Sequence, residues 1–427
     1  MITDEKKLSR QWFQEARFGM FVHWGLYALT GRDMWYYSTE EIDKDYYERL
    51  FPRFNPVDYN PVEWAKIAGR AGMKYAVLVT KHHDGFCLWD SKYTDFKATN
   101  TPCRKDLLRP WLDAYRAEGI KVGVYYSLID WHHPDFTVDY LHPQRARADE
   151  LNRNRDFSRY VRYLHDQVRE LMTDYGEIDI FWPDFSYGSQ KETGLPGKQA
   201  ADWDSFRLKA MIEELQPGIL INNRMGIPGE MKSDFLTPEQ NIPEKDISGV
   251  DTDAPMWETC ETIGASWGYG RGDLALKSAK LLVRHLVTCV SNNGNLLLNV
   301  GPTPRGRIQP EFVERLDEIG EWLELNGESI YGAGSAGCKM HQTFCPMLNV
   351  ASTQKDKNIY LHCFDEYPPF DIIIEDLGGK ISYVELVSDK TEIEFENVII
   401  DGKSHIKLHM PIIRPDPYDT VIRMVLG

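Results

Sequence analysis

Ile178-Asp179-Ile180-Phe181-Trp182-Pro183-Asp184 is the stretch on which the fold turns. It reads as a strand that stops on a carboxylate, because a continuous apolar and aromatic run is what a strand covered on both faces carries. An ionised acid closing such a run is costly to bury unpaired, so Asp184 is expected to face a cavity. In a barrel of parallel strands, chemistry collects at the carboxyl ends of the strands. Asp184 is therefore the first candidate for a catalytic group. The plainer alternative is a helix N-cap following the strand.

The same strand sits in a unit of helix face, glycine and short apolar run that occurs four times between residues 60 and 225. Trp64, Ile67, Ala68 and Ala71 precede Gly72 and the run Tyr75 to Val79. Leu108, Trp111, Leu112 and Tyr115 precede Gly119 and Val122 to Tyr126. Phe157, Tyr160, Leu164, Val168 and Leu171 precede Gly176 and Ile178 to Trp182. Leu208, Met211, Ile212 and Leu215 precede Pro217-Gly218 and Ile219 to Ile221. Apolar residues three and four apart mark helices, and the glycines supply left-handed caps. Helix alternating with strand means parallel pairing, hence an α/β fold.

Phe18 to Val22, Asp234 to Leu236, Pro255 to Trp257 and Asn295 to Val300 extend the series. With them the count is about eight, the number that closes a TIM-type (β/α)8 barrel. A doubly wound sheet would need a glycine-rich phosphate loop after the first strand, and His23-Trp24-Gly25-Leu26 is not one. Helical faces around Leu282, Leu286 and Cys289, and around Phe312, Leu316, Ile319 and Leu323, close this region. From about residue 340 the pattern changes to short β runs at Ile359–Cys363, Ile372–Ile374, Ile381–Val387, Ile393–Phe395, Ile406–Leu408 and Val421–Val425. Turns such as Gly378-Gly379 and Asp401-Gly402 separate them, as in a small antiparallel β-sandwich. The expected division is a barrel over 1–338 and a sandwich over 339–427.

A net charge of −16 argues against nucleic acid and anionic membrane partners. No stretch approaches the roughly 18–20 apolar residues of a membrane span. Residues 1–7 carry no apolar leader, which leads to the expectation of a cytoplasmic protein. The seven cysteines (87, 103, 260, 289, 338, 345 and 363) form no CxxC pair, which fits reduced thiols better than disulfides or zinc. Aromatic residues at 12%, with 12 Trp and 22 Tyr, exceed ordinary packing needs and suit either bulk core or a cleft that binds sugars or other rings.

Polar residues follow the strands rather than precede them: His23, Lys81 to Gly85, Asp130 to His133, Asp184, Asn222 to Arg224, Glu239 and Glu258. In a barrel these converge on one rim. Histidines 82 and 83 have two other readings, packing against backbone or ligating a metal, although adjacent loop residues point apart and no HxH or HExxH spacing occurs. Arg224 has the reading of a structural ion pair. Glycoside hydrolysis needs a facing pair of carboxylates, one to attack or activate water and one to protonate the leaving oxygen. Asp184 suits the nucleophile, and Glu239 and Glu258 both qualify by position as its partner.

Together, Phe18 to Gly25, Thr80-Lys81-His82-His83-Asp84-Gly85-Phe86, Tyr125-Tyr126-Ser127, Phe181-Trp182-Pro183-Asp184, Thr237-Pro238-Glu239-Gln240, Trp257-Glu258-Thr259-Cys260, Ser266-Trp267-Gly268-Tyr269 and Leu296 to Pro302 resemble the retaining α-L-fucosidases of glycoside hydrolase family 29. The resemblance implies a barrel followed by a β-sandwich, no cofactor, no metal, and a fucosylated oligosaccharide or glycoconjugate as partner. It implies Asp184 as nucleophile. It implies His23, His82, His83, Tyr126 and Arg224 as residues that bind fucose hydroxyls or orient the nucleophile, Trp35 as a substrate-contacting aromatic, and Trp267 beside the sugar's methyl group. Glu239 is the favoured acid/base and Glu258 the alternative. The family often has Glu before the Trp at position 35, where this chain has Met34. Two rival readings are a carbohydrate-binding protein on a decayed scaffold and a metal-dependent barrel hydrolase using His23, His82 and His83.

Overall fold

A computed structural model describes residues 3–228, 233–248, 255–337, 350–364, 371–375, 381–411 and 415–427. Eight parallel strands form the first sheet: β1 (Phe18–Val22), β2 (Tyr75–Lys81), β3 (Lys121–Ser127), β4 (Ile180–Asp184), β5 (Leu220–Ile221), β6 (Phe235–Leu236), β7 (Met256–Thr262) and β8 (Asn295–Val300). Their order is β5-β4-β3-β2-β1-β8-β7-β6. A single bridge between Asn222 and Phe235 joins β5 to β6 and completes the circle. The expected barrel is the observed one.

Strand alternation decides which side chains enter it, because successive residues point to opposite faces. Phe21, Tyr75, Val77, Val79, Tyr125, Ile180, Trp182, Cys260 and Leu297 pack together inside. Their neighbours Met20, Ala76, Leu78, Val124, Tyr126 and Phe181 pack outward against the helices. Gly19 also faces in, and a Cβ there would stand 2.5 Å from the Tyr75 ring, so only glycine fits.

The seam between β5 and β6 is the weakest part of the sheet, and a helix absent from the sequence reading closes it. Helix Asp4–Ala16, N-capped by Thr3, crosses the base of the barrel and inserts Phe13 among the interior side chains. Its Lys6 and Arg10 both bind Asp234, each at 2.8 Å, and Asp234 in turn accepts from the Ile221 amide at 3.0 Å. Leu8, Trp12, Phe13 and Ala16 carry helical spacing along it, and Thr3 is a sequence-legible N-cap, although no helix is expected there above.

The second part has two antiparallel sheets. The five-stranded one uses β9 (Gly334–Ser335), β10 (Val350–Lys355), β11 (Asn358–Cys363), β13 (Ile381–Leu386) and β16 (Thr420–Leu426). The three-stranded one uses β12 (Ile372–Glu375), β14 (Phe395–Ile400) and β15 (Lys403–Leu408). Leu361, Ile374, Leu386, Ile406, Ile422 and Met424 fill the space between them. The sandwich is thus present. β9 and β10 were not read from the sequence, and β14 runs beyond the expected Ile393–Phe395. The expected division at 338/339, the Gly378-Gly379 turn and cysteines 338 and 345 lie outside the described residues. The sandwich docks on the barrel's last helix, Pro310–Asn326, where Trp322 Nε1 donates to the Asp419 carbonyl at 3.2 Å.

Candidate active site

The carboxyl ends of the strands enclose a small pocket. A larger hollow opens at the opposite end, where the strands begin, and that is the end barrels use for stability rather than chemistry. Asp184 closes β4 inside the upper pocket and is buried. Its Oδ2 accepts from the Tyr125 hydroxyl at 2.7 Å and its Oδ1 from Arg224 Nη1 at 2.8 Å. The capping alternative fails, since the carboxylate is held by side chains across the barrel and caps no helix.

Arg224 follows β5 in a single helical turn, Asn223–Met225. It pairs with two acids, since its second terminal nitrogen donates to Glu239 Oε2 at 2.7 Å. Its guanidinium lies 4.6 Å from the centre of the Trp182 ring, over the face. Burial opposes its charge, but Asp184 and then Cys260 and Glu239 outweigh that and hold its pKa above the ordinary arginine value. Glu239 itself is 42% exposed, at the pocket mouth. One cation thus joins a buried carboxylate to an accessible one.

Three imidazoles form the opposite wall. Burial pulls His23 and His83 each down to about 3, and His82 also lies well below the ordinary histidine value. All three are therefore neutral, each with one nitrogen to donate and one to accept, which matches the dual character of sugar hydroxyls. Asn299 fixes the tautomer of His23: its amide nitrogen donates to the Trp267 carbonyl at 2.6 Å, so its oxygen faces His23 Nδ1 at 2.6 Å. Nδ1 carries the proton and Nε2 is left as an acceptor. His82 and His83 do not point apart as expected. Their ring centres are 4.0 Å apart and both line the pocket, because β2 is irregular between Val79 and Lys81 and alternation ends there. Among the described residues no group of three or more His, Cys, Asp or Glu side chains is arranged to hold a metal ion.

Trp35, Met34, Phe185 and Trp267 complete the walls. Asp33 ties two of them together: Oδ1 accepts from the Trp35 amide at 3.0 Å and Oδ2 from the Trp267 amide at 3.1 Å. Trp267 lies 5.0 Å from His23, ring centre to ring centre. Neutral donors, aromatic faces and two acids around a blind-ended hollow can hold one sugar ring and act on its glycosidic carbon.

The sequence profile of the alpha-L-fucosidase family matches residues 2–328. The chain belongs to the alpha-L-fucosidase family. This fucosidase, a glycoside hydrolase, is 31% identical to human plasma alpha-L-fucosidase over 82% of its own length and 74% of that protein. It is 43% identical to the solved alpha-L-fucosidase isoenzyme 1 of Paenibacillus thiaminolyticus, with a TM-score of 0.89 over 99% of this chain and 100% of that one. A Bacteroides thetaiotaomicron GH29 alpha-L-fucosidase, solved as a covalent intermediate trapped with 2-fluoro-fucosyl fluoride, is 27% identical with a TM-score of 0.82, over 98% and 96% of the two chains. Relatives named as plasma enzymes lend no support to the expected cytoplasmic setting.

Two expected site residues of the fucosidase stand outside the pocket. Tyr126 faces the helices, donating to Gln167 at 2.8 Å and accepting from Lys81 at 3.0 Å. The register pairs Tyr125 with Trp182 and Tyr126 with Pro183, so Tyr125 points inward and takes the place at Asp184 expected of Tyr126. Glu258 is fully buried deeper in the barrel, bonded to Tyr75 and Trp182, and does not line the pocket. A residue sealed there cannot donate a proton to a leaving group. Tyr125 lines the pocket, and Asp33 and Asn299 hold its wall residues, yet none of the three is among the expected site residues. Alternation counted back from Asp184 needs the strand register, which periodicity does not supply, and Asp33 sits in a loop with no sequence signal.

Proposed function

We propose that this α-L-fucosidase is a retaining exo-enzyme that removes terminal α-L-fucosyl residues from oligosaccharides or glycoconjugates by double displacement. Asp184 attacks the anomeric carbon while Glu239 protonates the departing oxygen, so the C1–O bond breaks as the C1–Asp184 bond forms. Water, deprotonated by Glu239, then attacks C1 and frees Asp184 and fucose. The observation that carries this reading is the Arg224 bridge, which presents Asp184, at the end of β4, and Glu239, in the segment after β6, to one hollow. A covalent intermediate trapped in a relative supports the same route.

In this reading His23, His82 and His83 bind the fucose hydroxyls, Tyr125 and Arg224 orient Asp184, Trp35 stacks on the sugar, and Trp267 packs on its methyl group. The pocket's closed base supports an exo action. Labelling with 2-fluoro-fucosyl fluoride tests it directly. One fucosyl adduct on the peptide containing Asp184 is expected, and Asp184→Asn is expected to lose on the order of a thousandfold in turnover. Near wild-type activity in that variant, or an adduct elsewhere, refutes the assignment.

A further inference from the structure

Glu258 Oε1 accepts from Trp182 Nε1 at 3.1 Å, and Oε2 accepts from the Tyr75 hydroxyl. The Trp182 ring carries Arg224 on its face at 4.6 Å. Arg224 in turn holds Asp184 and Glu239. The chain of contacts therefore runs from a sealed acid to both acids of the pocket. We propose that Glu258 is a positioning residue, whose carboxylate fixes the Trp182 indole as the platform on which Arg224 aligns Asp184 and Glu239. This inference rests on the roles proposed above for those two acids.

A buried carboxylate is an expensive choice at this position, since an apolar side chain of similar volume usually packs at lower cost. Burial pushes Glu258 up to about 7 against the opposing hydrogen bonds from Tyr75 and Trp182. The hydrogen-bond inventory supplies the reason. The indole nitrogen only donates, so the interior must offer it an acceptor or leave it unpaired. Glutamine can meet the same need: its amide oxygen accepts from Trp182 while the Tyr75 hydroxyl turns to accept from its amide nitrogen. Leucine cannot. Positioning and proton donation thus separate cleanly by substitution.

The experiment measures kcat and KM for wild type, Glu258→Leu, Glu258→Gln, Trp182→Phe and Glu258→Leu/Trp182→Phe on 4-nitrophenyl fucoside and on a fucosylated lactose. Glu258→Leu is expected to lose about tenfold or more, mainly in kcat and by the same factor on both substrates, with Glu258→Gln restoring most of it. Trp182→Phe is expected to fall in the same way, and the double variant no further than the worse single. Wild-type turnover in Glu258→Leu overturns the proposal, and so does full additivity in the double variant. A loss confined to the fucosylated lactose overturns it too, because Glu258 would then be a proton donor. Should the leucine variant not fold, Trp182→Phe decides: wild-type turnover there overturns the proposal, and a loss equal on both substrates supports it. Asp184→Asn run alongside keeps the cases apart, since full activity in that variant sinks the nucleophile assignment instead.

Discussion

Arg224 donates to Asp184 across the pocket at 2.8 Å, and the fork that makes this bond reaches Glu239 with its other terminal nitrogen at 2.7 Å. A planar guanidinium can present two nitrogens in fixed directions, whereas a lysine ammonium is one point charge on a flexible stem. Arg224→Lys is therefore expected to keep the local charge and lose the alignment, with kcat lower by roughly a hundredfold or more. Steady-state kinetics on an aryl fucoside check this. A change of only a few fold means the bridge is incidental.

Glu239 stands at the mouth, on the path proposed for the leaving group, and Glu258 is sealed beneath the pocket. Glu239→Ala is expected to keep kcat/KM on activated aryl fucosides to within about tenfold, with kcat falling because water loses its base, and to lose about 10²–10⁴-fold in kcat/KM on a fucosylated disaccharide, whose alkoxide needs a proton. Comparing the two substrates at one pH is sufficient. Equal losses on both remove Glu239 from the acid role.

The two adjacent tyrosines of β3 make a matched pair of tests. Tyr125→Phe deletes a hydrogen bond to Asp184 and is expected to lower kcat by about 10–100-fold with little change in unfolding free energy. Tyr126→Phe removes an acceptor from the buried Lys81 and is expected to cost about 1–3 kcal/mol of stability while leaving turnover per folded molecule alone. Denaturant unfolding and active-site titration separate them. The reverse pattern means the strand register is off by one.

Asp33 touches no sugar in the proposed reading, yet it pins the loops that carry Trp35 and Trp267. Asp33→Ala leaves both amides without that acceptor and frees both aromatic walls. KM is expected to rise roughly tenfold with a smaller fall in kcat. A KM that does not move means the walls are held by packing alone.

Protonation gives a prediction about stability. His23, His82, His83, His133 and His142 all have pKa values pulled down by burial from the ordinary 6.5, three of them to about 3. Such a group binds its proton only on unfolding, so the stability it contributes is complete above about pH 6.5 and is lost as the pH falls, by up to about 1.4 kcal/mol per unit for each. Asp84 and Glu258, raised by burial to about 6 and about 7, act in the opposite sense and gain stability over the same range. The histidines outnumber them. The melting temperature is expected to drop between about pH 6.5 and pH 5 in low-salt buffer. A flat or rising trend there contradicts the neutral state assigned to the histidine wall.

Much of this molecule was readable in advance. The helix, glycine and strand repeat from Trp64 to Ile221 announced the barrel, since burial on both faces forces continuous apolar runs. Asp184, His23, Glu239 and Trp267 follow strands in sequence, and strand ends share one rim in this fold. The reading failed wherever a long-range contact set the outcome. Helix Asp4–Ala16 docks through Asp234, more than 200 residues away, and β9 pairs with β10 by a register no local pattern encodes.

Composition and periodicity by themselves determined the barrel's strands, their alternation with helices, and the acids available at the strand ends, because hydrophobic burial writes itself into local spacing. Only the closed barrel decided that Tyr125 faces Asp184 while Tyr126 faces the helices, that Glu239 meets the pocket while Glu258 is sealed beneath it, and that one arginine joins two acids. Those outcomes depend on strand register and on loops meeting across the rim. A shift of one residue in either would exchange the inward and outward side chains without altering a single apolar run.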